Sequence, residues 1–121
     1  MSFKKLMAYD KGFKLAMEIF EVSKKFPKEE TYSLTDQVRR STRSVCANIA
    51  EAYRKRKYEK HFISKLTDSD AENSETQVWL SFAEACGYIS SSQSREFEDQ
   101  SEEIGRLIQF MINNPGKFGV Q

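Results

Sequence analysis

Residues 33–57, SLTDQVRRSTRSVCANIAEAYRKRK, sort into coherent faces only at the period of an α-helix. Leu34, Val38, Val45, Ile49 and Tyr53 make an apolar seam at that spacing. Ser41, Thr42, Ser44, Cys46, Ala47, Ala50 and Ala52 are small enough for neighbouring helices to approach closely. Arg39, Arg40 and Arg43, then Arg54, Lys55, Arg56 and Lys57, make this the most basic part of the chain. A long helix with an apolar seam needs other helices to cover it.

The flanking sequence supplies them. Two prolines and five glycines in 121 residues leave long uninterrupted stretches, which favours helices over a sheet. The first helix is expected over about 8–26 and ends at Pro27, because a residue before proline avoids the helical region. The second covers 33–56, with Ser33 or Thr35 as N-cap. The third runs over 58–86 to Gly87; the fourth runs over 92–112, from a serine cap to Asn113-Asn114-Pro115-Gly116. Residues 115–121 should fray. Four amphipathic helices with short connectors predict an all-α, single-domain, antiparallel up-down-up-down four-helix bundle. The apolar runs are too short for a membrane span, and the first residues lack the pattern of a signal peptide. A cytoplasmic protein with no membrane partner is the expectation.

Two stretches exceed what a plain bundle needs. The first helix carries one stripe of Tyr9, Phe13, Ala16 and Phe20, and another of Leu15, Ile19, Val22 and Phe26. Two stripes suggest either a wide core contact or a second surface for another subunit, and Leu15, Ile19, Val22 and Phe26 are assigned to that oligomer surface. The third helix is apolar at its ends and polar between Thr67 and Gln77, which puts Ser69, Asn73 and Thr76 at core positions. One reading is a buried hydrogen-bonded layer of Asn48, Glu51, Ser69 and Asn73; the other is a polar pocket or contact surface.

Charge is segregated along the chain. Residues 1–65 hold sixteen Lys/Arg against eight Asp/Glu, whereas residues 66–121 hold three against ten. The imbalance fits a basic surface for nucleic acid, or basic and acidic helices that neutralise each other within or between subunits. No Gly-rich phosphate loop, nucleophile elbow or inward Glu-x-x-His pair occurs. Cys46 and Cys86 read as space-filling thiols, His61 is the single histidine, and Asp68, Asp70, Glu72 and Glu75 point around a helix rather than along one face. The expectation is therefore no catalytic residue, no cofactor and no metal. Phosphate recognition would fall to Arg39, Arg40, Arg43, Arg54, Lys55, Arg56 and Lys57, with Tyr53 and Tyr58 placed to stack on bases. The alternative is a scaffold or adaptor whose partner is another protein.

Gln37-Val38-Arg39-Arg40-Ser41, Ser44-Val45 and Asn48-Ile49-Ala50-Glu51 together resemble a QxRRAxxSIxxNIAEG pattern. With Phe26-Pro27, Glu75-Thr76-Gln77 and Gly87-Tyr88-Ile89, they make a chain that resembles the bacterial four-helix-bundle family of 23S rRNA intervening-sequence proteins over about residues 6–112. Ala52 departs from the glycine usual in that family, and the polar Asp68-to-Ser74 segment departs from a more apolar one. The resemblance implies an antiparallel bundle assembled with itself, often as a homopentameric ring. It also implies likeness to retroelement accessory proteins that bind nucleic acid, RNA or DNA, and a reverse transcriptase.

Overall fold

A computed structural model describes residues 2–121. Four helices, α1 (Met7–Ser23), α2 (Asp36–Arg54), α3 (Glu59–Ala85) and α4 (Ser91–Asn113), account for most of it. Each packs on two neighbours in the cyclic order α1–α2–α3–α4, with α2 and α3 in the most extensive contact. This is the antiparallel bundle expected from the periodicity.

Local chemistry sets the ends. Gly87, at φ 79°, closes α3: its N–H donates to the Glu84 carbonyl at 2.9 Å and the Tyr88 N–H to the Ala83 carbonyl at 2.8 Å. That paired closure requires a residue at ease in the left-handed region. Ser90 and Gln93 then cap α4 reciprocally, each side chain accepting from the other's backbone N–H. At the other corner α1 stops at Ser23, short of Phe26, and a 3₁₀ turn (Lys28–Glu30) runs into a π turn (Thr31–Thr35) before α2. Ser33 does not cap α2; its hydroxyl donates to Glu30. Glu30 also accepts from the Tyr88 hydroxyl at 2.8 Å, tying this corner to the end of α3. Those two hydrogen bonds lower the Glu30 pKa, and the Glu30 bond chiefly pushes the Tyr88 phenol up to about 12.

The core contains the α1 stripe that the sequence analysis sent outward. Leu15 and Ile19 are fully buried, Phe26 is buried, and Val22 packs partly covered against them. Ala8, Gly12 and Ser23 complete that face. Gly12 is the reason: a Cβ there would sit 3.2 Å from the Cys46 sulfur, so its absence lets this face of α1 close on α2. Small residues carry no hydrophobic weight in a periodicity count, which is why the wrong stripe looked dispensable. Phe13 and Met17 are instead the exposed ones, at 51% and 45%.

The middle of α3 is a buried polar layer, but with other partners than expected. Ser69 donates to the Val45 carbonyl at 2.8 Å, and Thr76 shares a 2.8 Å hydrogen bond with Ser41. On the other side Asn73 donates to the Ser101 carbonyl and accepts from the Ser101 hydroxyl, both at 2.9 Å. Gln77 donates to that same hydroxyl oxygen. Gly105 keeps α4 near, since a Cβ there would lie 3.3 Å from the Asn73 amide nitrogen. Asn48 and Glu51 stand outside the layer: Asn48 donates to the Ser44 carbonyl of its own helix, and exposed Glu51 pairs with Lys65 at 3.1 Å. Both residues lie toward the flank of α2, so neither reaches the interior of α3.

The tail is held, not frayed. Pro115–Phe118 forms a 3₁₀ turn, Gly119 takes φ 90°, and Val120 is buried in the core cluster. Apolar burial and an Arg56 bond to the Phe118 carbonyl at 3.3 Å fix it.

The two asparagines should separate cleanly in urea unfolding. Asn73→Leu takes the acceptor from the buried Ser101 hydroxyl proton and one donor from the Ser101 carbonyl, and should cost about 1–3 kcal/mol. Asn48→Leu disturbs only a bond within α2 and should stay within about 0.5 kcal/mol of the parent. Equal losses at the two sites would contradict this layer.

Candidate nucleic-acid interface

The seven α2-linked cations do not make one surface. At ~1.5 Å per residue, Arg40 and Arg54 lie about 21 Å apart along the helix. Arg40 is paired: its guanidinium meets Glu72 at 2.8 Å and also Glu75, and the Glu72 hydrogen bond chiefly raises its pKa. Arg39 donates through Nε to the Ser23 hydroxyl at 2.8 Å and lies 4.7 Å from the centre of the Phe20 ring. Arg43 at 5.6 Å and the Lys24 ammonium at 4.9 Å share that ring. The upper cations therefore bind carboxylates and an aromatic ring of the chain itself.

The lower group differs. Antiparallel topology brings the start of α1, the connector from α2 to α3 and the end of α4 to one end of the bundle. Arg54, Lys55 and Lys57 are exposed there, and among the described residues none forms an ion pair within 4.0 Å. Lys60 follows on the first turn of α3, Lys4 and Lys5 lie in the 3₁₀ turn (Phe3–Lys5), and Lys117 projects from the tail. Phe3, Arg54 and Lys55 line one depression; Lys5 and Phe118 line another. Within residues 2–5, 54–60 and 115–121 the only acidic side chain is Glu59. Like charges so gathered attract phosphates and release their counterions on binding.

Arg56 has an inward role. Its Nε donates to the Tyr53 carbonyl at 2.7 Å, its guanidinium lies 3.6 Å from the Tyr53 ring centre, and it holds the tail. Tyr53 is buried and covers core rather than offering a face to bases. Sequence reasoning missed Lys4, Lys5, Lys60 and Lys117. The signal was present in the topology: an up-down-up-down bundle places all of these segments together.

The family model for the 23S rRNA-intervening sequence protein matches residues 4–110. The chain belongs to that family. A crystal structure of a protein of unknown function from the S23 ribosomal protein family of Bacteroides thetaiotaomicron superposes with a TM-score of 0.79 at 30% identity. The match covers 88% of this chain and 95% of that one. No curated protein matches. Among the described residues of this 23S rRNA-intervening sequence family member no helix is long and apolar enough to cross a membrane. Among the described residues no three His, Cys, Asp or Glu side chains converge as metal ligands would.

The two thiols of this family member have opposite environments. Cys46 is buried against α1, and burial pushes its pKa up to about 11; Cys86 is exposed at the end of α3. At pH 8 only about one Cys46 in a thousand is a thiolate. Brief iodoacetamide treatment of the native protein should add one label, mapped to Cys86 by mass spectrometry, and a second only after unfolding. Rapid native labelling at Cys46 would contradict its burial.

Proposed function

We propose that this protein is a non-enzymatic, self-associating helical bundle that binds nucleic acid through its cationic end. The observation that carries the reading is the convergence of Lys4, Lys5, Arg54, Lys55, Lys57, Lys60 and Lys117 against two acidic side chains, Glu59 and the Lys65-paired Glu51. The family's description, which refers to sequences intervening in 23S rRNA, supports RNA as one ligand; the charge cluster suits DNA equally. Fluorescence anisotropy with structured RNA and duplex DNA tests it. With about six phosphate contacts, affinity should fall on the order of 10³-fold between about 50 and 200 mM salt. Lys55→Glu with Lys57→Glu should weaken binding and flatten that salt dependence, whereas Arg40→Gln, at a cation already paired, should leave both nearly unchanged. Absence of binding to either nucleic acid at low salt would end the proposal.

Self-association is supported by apolar surface that one copy leaves uncovered. On α1, Met7, Phe13 and Met17 are exposed, and Lys14 and Lys24 of the same segment pair with Asp10 and Glu21. On α3, Val78 and Phe82 are exposed beside Trp79, whose buried indole N–H finds no acceptor among the described residues. Tyr32 is 82% exposed, and Glu29, Glu30, Glu75 and Glu84 give that region an acidic rim. Unlike apolar faces pair head to tail and close into a ring when the rotation permits; the family resemblance favours five subunits. The same surfaces would serve the adaptor reading, in which another protein takes the partner's place. Light scattering with in-line chromatography should give a multiple of 14.1 kDa, and Phe13→Glu with Met17→Glu should yield monomer. A parent protein that stays at 14.1 kDa at micromolar concentration would refute self-association.

A further inference from the structure

The residue at the start of α3 is unusual for its position. Tyr58 is the N-cap, with φ −123° and ψ 107°, and its side chain makes no capping hydrogen bond. Serine, threonine, aspartate and asparagine are preferred there because a short side-chain oxygen reaches the first free N–H groups. A phenol cannot do so. Its ring instead stands 55% exposed at the cationic end. One turn on, His61 is also exposed, its ring centre 5.4 Å from that of Tyr58 with the planes 45° apart. The Lys57 ammonium lies 5.7 Å from the centre of the Tyr58 ring, and Arg54, Lys55 and Lys60 are its neighbours in the chain.

Other aromatic rings near α2's cations are already engaged. Phe20 carries Arg39, Arg43 and Lys24, and Tyr53 lies buried beneath Arg56. Tyr58 and His61 keep ring surface in solvent among cations that have no carboxylate partner. Lysines and arginines alone attract phosphates whether the bases are paired or not. An exposed ring adds a preference, because bases inside a duplex are already stacked on one another and only unpaired bases offer a free face.

The geometry points to unpaired nucleotides as the ligand of the cationic end. One base stacks on the Tyr58–His61 pair while Arg54, Lys55, Lys57 and Lys60 hold the flanking phosphates. This rests on the proposed function above and narrows it to single strands, loops and frayed ends. Ribose and deoxyribose strands share the chemistry, so both belong in the test.

The probes are an oligonucleotide of about twelve residues as single-stranded RNA, as single-stranded DNA and as a blunt duplex, with affinities read by anisotropy at fixed low salt. The parent protein should bind at least one single strand roughly 5- to 100-fold more tightly than the duplex. Tyr58→Ser removes the ring but installs a favourable N-cap, so Tm should hold or rise. It should erase the single-strand preference while leaving duplex affinity and salt dependence in place. Tyr58→Phe should retain the preference. A 2-aminopurine base in the single strand should be quenched by the parent and not by Tyr58→Ser. Equal affinity for single strand and duplex, or equal weakening of all ligands in Tyr58→Ser, overturns the stacking inference and leaves the cationic interface standing. Failure to bind any of the three probes at low salt removes the interface itself.

Discussion

The hydrogen bonds that α3 sends to both neighbours set the alignment of the bundle. Apolar side chains slide past one another at modest cost, since oily contacts are nearly interchangeable along a helix. Ser69 on the Val45 carbonyl, Thr76 on Ser41 and Asn73 on Ser101 are not interchangeable. A shift of one helical turn would strand each of these buried groups, at about 1–3 kcal/mol apiece. The polar layer therefore stabilises one alignment over its competitors more than it adds to stability outright. Because alignment decides which connectors and ends lie level, the cationic end depends on buried serines and an asparagine well above it.

Electrostatics divide α2 in two. Its first turns satisfy their cations internally, Arg40 with Glu72 and Glu75, Arg39 and Arg43 on Phe20. Such partly exposed contacts contribute little each; Glu72 and Glu75 offset the charge of Arg40, whereas the neutral Phe20 ring leaves Arg39 and Arg43 charged. Beyond the last turn α3 opens with Glu59 and Lys60, and its next carboxylate, Asp68, lies more than two turns farther along, so cations outnumber acidic side chains at this end. A chain-wide charge near neutral thus coexists with a strongly positive end.

Much of this architecture was legible in the residues. Four helices, their order, and Ser69, Asn73 and Thr76 on the inner side of α3 all follow from spacing and from the stop signals at Pro27 and Gly87. What escaped was whatever depends on a distance between helices. Gly12 decides which α1 stripe turns inward, yet a glycine does not register as hydrophobic. Asn48 lies about a quarter-turn of helix phase from the centre of α2's buried positions, and its amide goes to Ser44 instead. The tail seemed loose because one valine gives no periodicity, although Val120 finds a seat that only the assembled helices create. For the candidate site, α2's run of cations was evident; the lysines contributed by three other segments were visible only through topology.

The π turn at Thr31–Thr35 has a consequence for how the chain tolerates length changes. Such a turn holds one residue more than a regular helical turn at almost the same height. The link from α1 to α2 therefore carries a spare residue, coiled where Leu34 and Thr35 still reach the interior. Loss of one residue there would tighten the coil to an ordinary helical turn, with α2 keeping its rotation and height. The arginines of α2 and the serine that meets Thr76 would stay where they are. A single-residue deletion in most helices rotates everything beyond it by about 100°; here the chain contains a place where that rotation is already stored and can be released.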